Sequence, residues 1–149
     1  MNMTRSSGAF DMLPAWSPDG KNIAYWSDRS GEYELYIQDQ GMASDPVKLT
    51  SRGKGVGDKP YWSPDSKYLA FMDETNAISV VNVESKSLML AGTYQWNLGH
   101  GSRFGYPIAW SPDSKWIAFT LGMDNFHSAI FLFNVESQQK IEATGGFYE

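Results

Sequence analysis

The chain has 149 residues, near the usual size of one domain, with 15% aromatic and 19% charged side chains and no cysteine. Such a composition favours a packed β core over disorder. A formal charge of −5 argues against a general nucleic-acid binder, whose phosphate contacts need a basic surface, and the missing thiols exclude disulfides, a thiol nucleophile and zinc–thiolate sites. No run of residues reaches transmembrane length. No apolar stretch of signal-peptide length follows Met1-Asn2-Met3-Thr4-Arg5, so any export signal of a parent protein lies outside this chain.

Taken in chain order, the first predicted unit opens on Pro14-Ala15-Trp16-Ser17-Pro18-Asp19-Gly20-Lys21 and runs into Ile23-Ala24-Tyr25, Leu35-Tyr36-Ile37 and a weaker strand at Val47-Lys48-Leu49. The second opens on Pro60-Tyr61-Trp62-Ser63-Pro64-Asp65-Ser66-Lys67 and continues through Leu69-Ala70-Phe71, Ile78-Ser79-Val80-Val81 and Leu88-Met89-Leu90. The third repeats the pattern with Ile108-Ala109-Trp110-Ser111-Pro112-Asp113-Ser114-Lys115, Ile117-Ala118-Phe119, Ile130-Phe131-Leu132-Phe133 and Lys140-Ile141-Glu142. Trp16, Trp62 and Trp110 stand 46 and 48 residues apart. The second and third units also share Asn-Val-Glu-Ser, at Asn82 to Ser85 and Asn134 to Ser137. No segment carries a convincing helical period.

Four short strands in a period of roughly 40–50 residues is the signature of a propeller blade. The expected fold is all-β: a β-propeller segment of about three four-stranded antiparallel blades, spanning about 10–50, 58–91 and 106–144 of a partial propeller that fills 1–149. In each Ser-Pro-Asp-Gly/Ser turn, Pro presets φ at the second position, Asp suits the third, and Gly is favoured at the fourth, where a type I turn also accepts Ser. Both ends read as cut. Met1 to Thr4 looks like the end of a preceding outer strand, and Gly146-Phe147-Tyr148-Glu149 like the lead-in to a fourth motif. Three blades do not close the usual ring of four to eight, so the chain is expected to be a segment of a longer protein. Its partners would then be the remaining blades of the parent chain, or further copies of itself.

Strand parity assigns the loops to two faces. The Ser-Pro-Asp and Asn-Val-Glu-Ser turns share one face and hardly vary. The opposite face carries the loops between second and third strands and the connections between blades, which differ in length from unit to unit; Gly92 to Tyr106 is the longest. Loops on a rigid scaffold are where recognition usually sits. The candidate peptide- or partner-contacting residues are therefore Trp96 and Arg103 in that connection, of types enriched at binding hot spots, and Phe126 and His127 in the third blade, whose loop falls on the same side by parity and where aromatics offer contact area at low entropic cost. Packing of the long loop onto the blades is the alternative for Trp96 and Arg103. The two histidines, His100 and His127, read as solvated or locally hydrogen-bonded, because a metal site needs more donors nearby. Ser128 beside His127 is weak ground for a catalytic pair, which is recognised by geometry and not by adjacency. The three tryptophans are expected to pack between blades. Asp19, Asp65 and Asp113 are expected to serve turns, each on its own blade. Gly53, Gly55 and Gly57 precede no helix, so they make no phosphate loop and read as a flexible connection. No catalytic, cofactor-binding or metal-binding residue is assigned.

These motifs resemble the WD40-like repeats of TolB and tricorn-type propellers, more closely the seven-bladed propeller of tricorn protease homologues. The resemblance rests on Met3-Thr4-Arg5, on Pro14-Ala15-Trp16-Ser17-Pro18-Asp19-Gly20, on Ser27 to Ile37, on Val80 to Ser85 and on Gly145-Gly146-Phe147-Tyr148. It implies a non-catalytic segment of a tricorn-like serine peptidase, acting in peptide access or protein binding, with the catalytic machinery in a separate domain. The alternative is a TolB-like propeller that binds a protein partner and has no peptidase activity. A self-contained enzyme is poorly supported, since no motif joins nucleophile, base and oxyanion donors. The implied partner is a peptide or protein, with no membrane insertion, and the parent is cytoplasmic or periplasmic.

Overall fold

A computed structural model describes residues 8–53, 55–94, 108–122 and 128–144. Twelve strands run through them. Blade 1 holds β1 (Asp11–Trp16), β2 (Asn22–Ser27), β3 (Glu34–Asp39) and β4 (Val47–Lys48). Blade 2 holds β5 (Tyr61–Trp62), β6 (Tyr68–Met72), β7 (Ala77–Asn82) and β8 (Leu88–Thr93). Blade 3 holds β9 (Ala109–Trp110), β10 (Trp116–Gly122), β11 (Ser128–Asn134) and β12 (Lys140–Glu142). Each blade is one four-stranded sheet in sequence order, with every pairing antiparallel. The fold is all-β, a propeller segment of three blades, and no helix occurs among the described residues.

The blades stack through side chains that alternate along the middle strands. Leu35 and Ile37 of β3 face blade 2, where they meet Leu69, Phe71 and Val81 in one core. Trp26 closes that seam by setting its ring edge-on to Phe71, with centroids 5.4 Å apart and planes at 85°. The other face of blade 2 supplies Ala70, Ile78, Val80 and Met89 to a second core with Ile117, Phe119 and Phe133 of blade 3. Burying each such aliphatic or aromatic side chain contributes about 1.5–3 kcal/mol, so most of the stability lies in the two seams.

The innermost strands β1, β5 and β9 carry the repeated tryptophans. Trp62 donates its indole N–H to the Ala15 carbonyl at 2.9 Å, and Trp110 donates to the Tyr61 carbonyl at 2.9 Å. Blades 2 and 3 are thus each bonded to the strand one repeat earlier. The expectation that the repeated Trp packs between blades holds for these two. Trp16, with no described blade before it, remains 55% exposed.

Candidate functional site

The turn face is built by one device used three times. In blade 1 the Ser17 hydroxyl donates to the Asp19 carboxylate at 2.6 Å and accepts the Asn22 N–H at 2.9 Å, while the same carboxylate accepts the Lys21 N–H at 3.0 Å. Ser63 with Asp65 and Ser111 with Asp113 repeat these bonds. The aspartates are turn residues, as expected. The fourth turn position differs from the plain type I expectation: Gly20, Ser66 and Ser114 all sit in the left-handed region, at φ 72°, 62° and 62°. Serine is costly there. Its hydroxyl compensates by reaching the neighbouring blade, with Ser66 accepting the Asp19 N–H at 3.2 Å and Ser114 the Asp65 N–H at 3.0 Å. The second pair of turns on this face is capped by Asn82 and Asn134, whose Oδ1 atoms each accept two backbone N–H groups.

The opposite face is organised by a buried charge network that links blades 1 and 2. Glu34 opens β3, and its buried carboxylate accepts the Arg52 N–H at 2.6 Å, the Gly53 N–H at 2.8 Å and the Thr50 hydroxyl. That fixes the start of the connection to blade 2. The Arg52 guanidinium then pairs with the Asp73 carboxylate and donates to the Ser79 hydroxyl at 3.3 Å. Asp73 in turn caps the β6–β7 turn by accepting the Thr75 and Ala77 N–H groups at 2.9 and 3.1 Å.

Within the glycine-rich connection, Gly57 packs at contact distance on backbone, while Gly53 sits in the left-handed region at φ 61° with open space where a Cβ would stand. A Cβ on Gly57 would stand 2.0 Å from the Met72 carbonyl, and one on Gly55 would overlap the Glu74 carboxylate. The Asp58 N–H bonds the Met72 carbonyl at 2.9 Å, and the Trp26 indole bonds the Asp58 carbonyl at 3.0 Å. Gly57 is there because the backbone crosses the β6–β7 turn at contact distance. In blade 1 the loop after β2 is held from another side. Arg29 lies over the rings of Tyr25 and Tyr36, 5.5 and 5.0 Å from their centroids, and pairs with Asp11 at 3.5 Å. Burial pushes the Tyr25 phenol up to about 12.

Concave surfaces among the described residues include two. One, of about 360 Å³, runs along the inner strands past Trp16, Pro18, Lys59, Tyr61 and Trp110. The other lies on the outer rim, between Val47 and Leu88. Among the described residues no group of three or more His, Asp or Glu side chains could hold a metal ion. No helix among them is long and apolar enough to cross a membrane.

Trp96, Arg103, Phe126 and His127, the contact residues expected from the sequence, lie outside the described residues, as does His100. The strand ends that flank them are described. Tyr94 follows β8 and donates its N–H to the Asn76 carbonyl at 2.9 Å, and Gly122 and Ser128 close the β10–β11 ladder. Both flanks are at the loop face. The Glu34–Arg52–Asp73 network was not anticipated. Its one sequence signal is a glutamate directly before the apolar run Leu35-Tyr36-Ile37.

No family model matches the sequence. No curated protein matches it either. Solved structures do. TolB from Acinetobacter baumannii aligns at TM-score 0.64 and 22% identity over 93% of this chain and 33% of its own. The tricorn protease aligns at 0.64 and 15%, over 84% of this chain and 12% of its own. The chain resembles TolB- and tricorn-type propellers. An oligogalacturonate lyase from Vibrio parahaemolyticus gives 0.65 at 11% identity, over 94% of this chain and 42% of its own. At these identities the likeness is one of fold, and the chain spans about a third of the TolB structure's length.

Proposed function

We propose that this chain is a non-catalytic recognition segment, with a peptide or protein held at the loop face. The observation that carries the reading is the contrast between the two faces. One is three copies of the same short turn, fixed by the same bonds. The other presents loops of unequal length, anchored to the blades through Glu34, Arg52 and Asp73. Variable loops on a rigid frame suit recognition. The proposed contacts are Trp96 and Arg103 in the Gly92–Tyr106 connection, with Phe126 and His127 in blade 3. In its finer form the segment guides peptide access in a tricorn-like serine peptidase. The second form is a TolB-like propeller that binds a protein partner with no peptidase domain, and the higher identity to TolB favours it, 22% against 15%.

The test is a pair of substitutions in the intact parent protein. Trp96→Ala is expected to weaken binding by about 1–2 kcal/mol with little loss of stability. Asp65→Ala is expected to lower stability slightly and leave affinity unchanged. The opposite pattern, read by calorimetry and denaturant melts, overturns the assignment of faces. A PDZ-like module and a serine-peptidase domain downstream in the reading frame support the first form; a frame that ends soon after the ring supports the second.

A further inference from the structure

The rim groove between the outer strands of blades 1 and 2 has a volume of about 720 Å³. Val47, Lys48 and Leu49 form one wall, Lys86 and Leu88 the other, and Arg52 lies at its inner end. Behind the groove, one position of the repeat differs between blades. Phe119 in blade 3 faces Phe131 across the strand pair, and the two rings stack at 6.3 Å to fill the seam toward blade 2. In blade 2 the corresponding pair is Phe71 with Ser79. A hydroxyl replaces a ring, and the space admits the Arg52 side chain, which bonds Ser79 and Asp73.

Its chemistry is specific. The chain has a net charge of −5, yet no Asp or Glu lines this groove. The Arg52 charge is balanced by Asp73. Lys48 and Lys86 make no ion pair among the described residues. Val47 and Leu88 are 37% and 41% exposed beside them, and Leu90 follows on the same face of β8. β4 is the outermost strand of its sheet, so one edge of its backbone faces outward. An edge strand of this kind can be extended by a peptide whose alternate side chains enter a groove.

We propose that this groove docks an extended acidic segment of a partner protein, in which carboxylates meet Lys48 and Lys86 while intervening aliphatic side chains cover Val47 and Leu88. The site runs along the rim and meets the loop-face network only at Arg52, and it stands independently of the function proposed above. An acidic peptide is repelled by the chain as a whole, so affinity for one reports a local complement.

The experiment is fluorescence anisotropy on the full chain with a short labelled peptide alternating glutamate and leucine, beside its lysine-for-glutamate counterpart. The acidic peptide is expected to bind and the basic one not. Lys48→Glu with Lys86→Glu is expected to weaken binding roughly tenfold or more, and Leu88→Ser several-fold, with melting temperatures unchanged because these side chains are at the surface. Lys48→Gln with Lys86→Gln gives the same direction of loss without charge reversal and serves should the first variant fail to fold. Equal binding of both peptides, or undiminished binding by the glutamine variant, overturns the proposal.

Discussion

Ser114 shows how far a single residue's environment extends. It is held at φ 62° while its hydroxyl accepts the Asp65 N–H from the blade before. Ser114→Ala keeps the backbone strain and loses the bond, so it is expected to cost about 1 kcal/mol in urea denaturation. Ser114→Gly loses the bond but relieves the strain, and is expected to be nearly neutral. Equal costs for the two would show that the hydroxyl contributes nothing. Asp39 makes a second test. The Ala43 and Ser44 N–H groups and the Ser44 hydroxyl hold its carboxyl down to about 2, from an ordinary 3.8. A depressed folded value means that its stabilisation is present above about pH 4 and is lost as pH falls toward 2. Asp19 and Asp113, lowered by their serine and lysine turn partners, act in the same direction. Asp39→Asn retains an acceptor, as Asn82 and Asn134 do at the matching turns, and should flatten the acid limb of the stability profile without unfolding the chain.

At the scale of elements, the connection from blade 1 to blade 2 is held at several points along the described residues of the loop face. Gly57→Ala is expected to destabilise by about 1–3 kcal/mol, since its Cβ would meet the Met72 carbonyl and not a side chain able to swing away. Arg52→Ala leaves Asp73 buried without its cation and is expected to cost about 3–5 kcal/mol, measurable by thermal melting at neutral pH. The strands and turns were legible in the sequence because their causes are local: alternation in Leu35-Tyr36-Ile37, Pro and Asp at fixed turn offsets. The left-handed φ at Ser66 and Ser114 was not, because its compensation comes from one blade away. Nor was the charge network legible. Glu34, Arg52 and Asp73 come from three different elements, and only the stacking of two sheets brings them together. The role of Gly57 was not legible either, since a glycine kept for close approach and one kept for freedom read alike in one sequence.

For the whole molecule, the two seams set what its outer faces want. Trp16 is exposed on one side, and Ile130 and Ile141 are exposed on the far sheet. Apolar surface of this kind at the ends of a stack of sheets invites association. The isolated chain is expected to form dimers or larger assemblies in light scattering at micromolar concentration, and Trp16→Ser with Ile130→Ser to shift it toward monomer; a wild-type chain that stays monomeric contradicts this. The indole-to-carbonyl bonds also make each seam its own reporter. In heavy water the indole proton of Trp16 should be replaced within the dead time. Those of Trp62 and Trp110 should persist until their own blades part from the strand before. Two resonances that decay at different rates would then time the opening of each seam separately, telling whether the stack comes apart from one end or all at once.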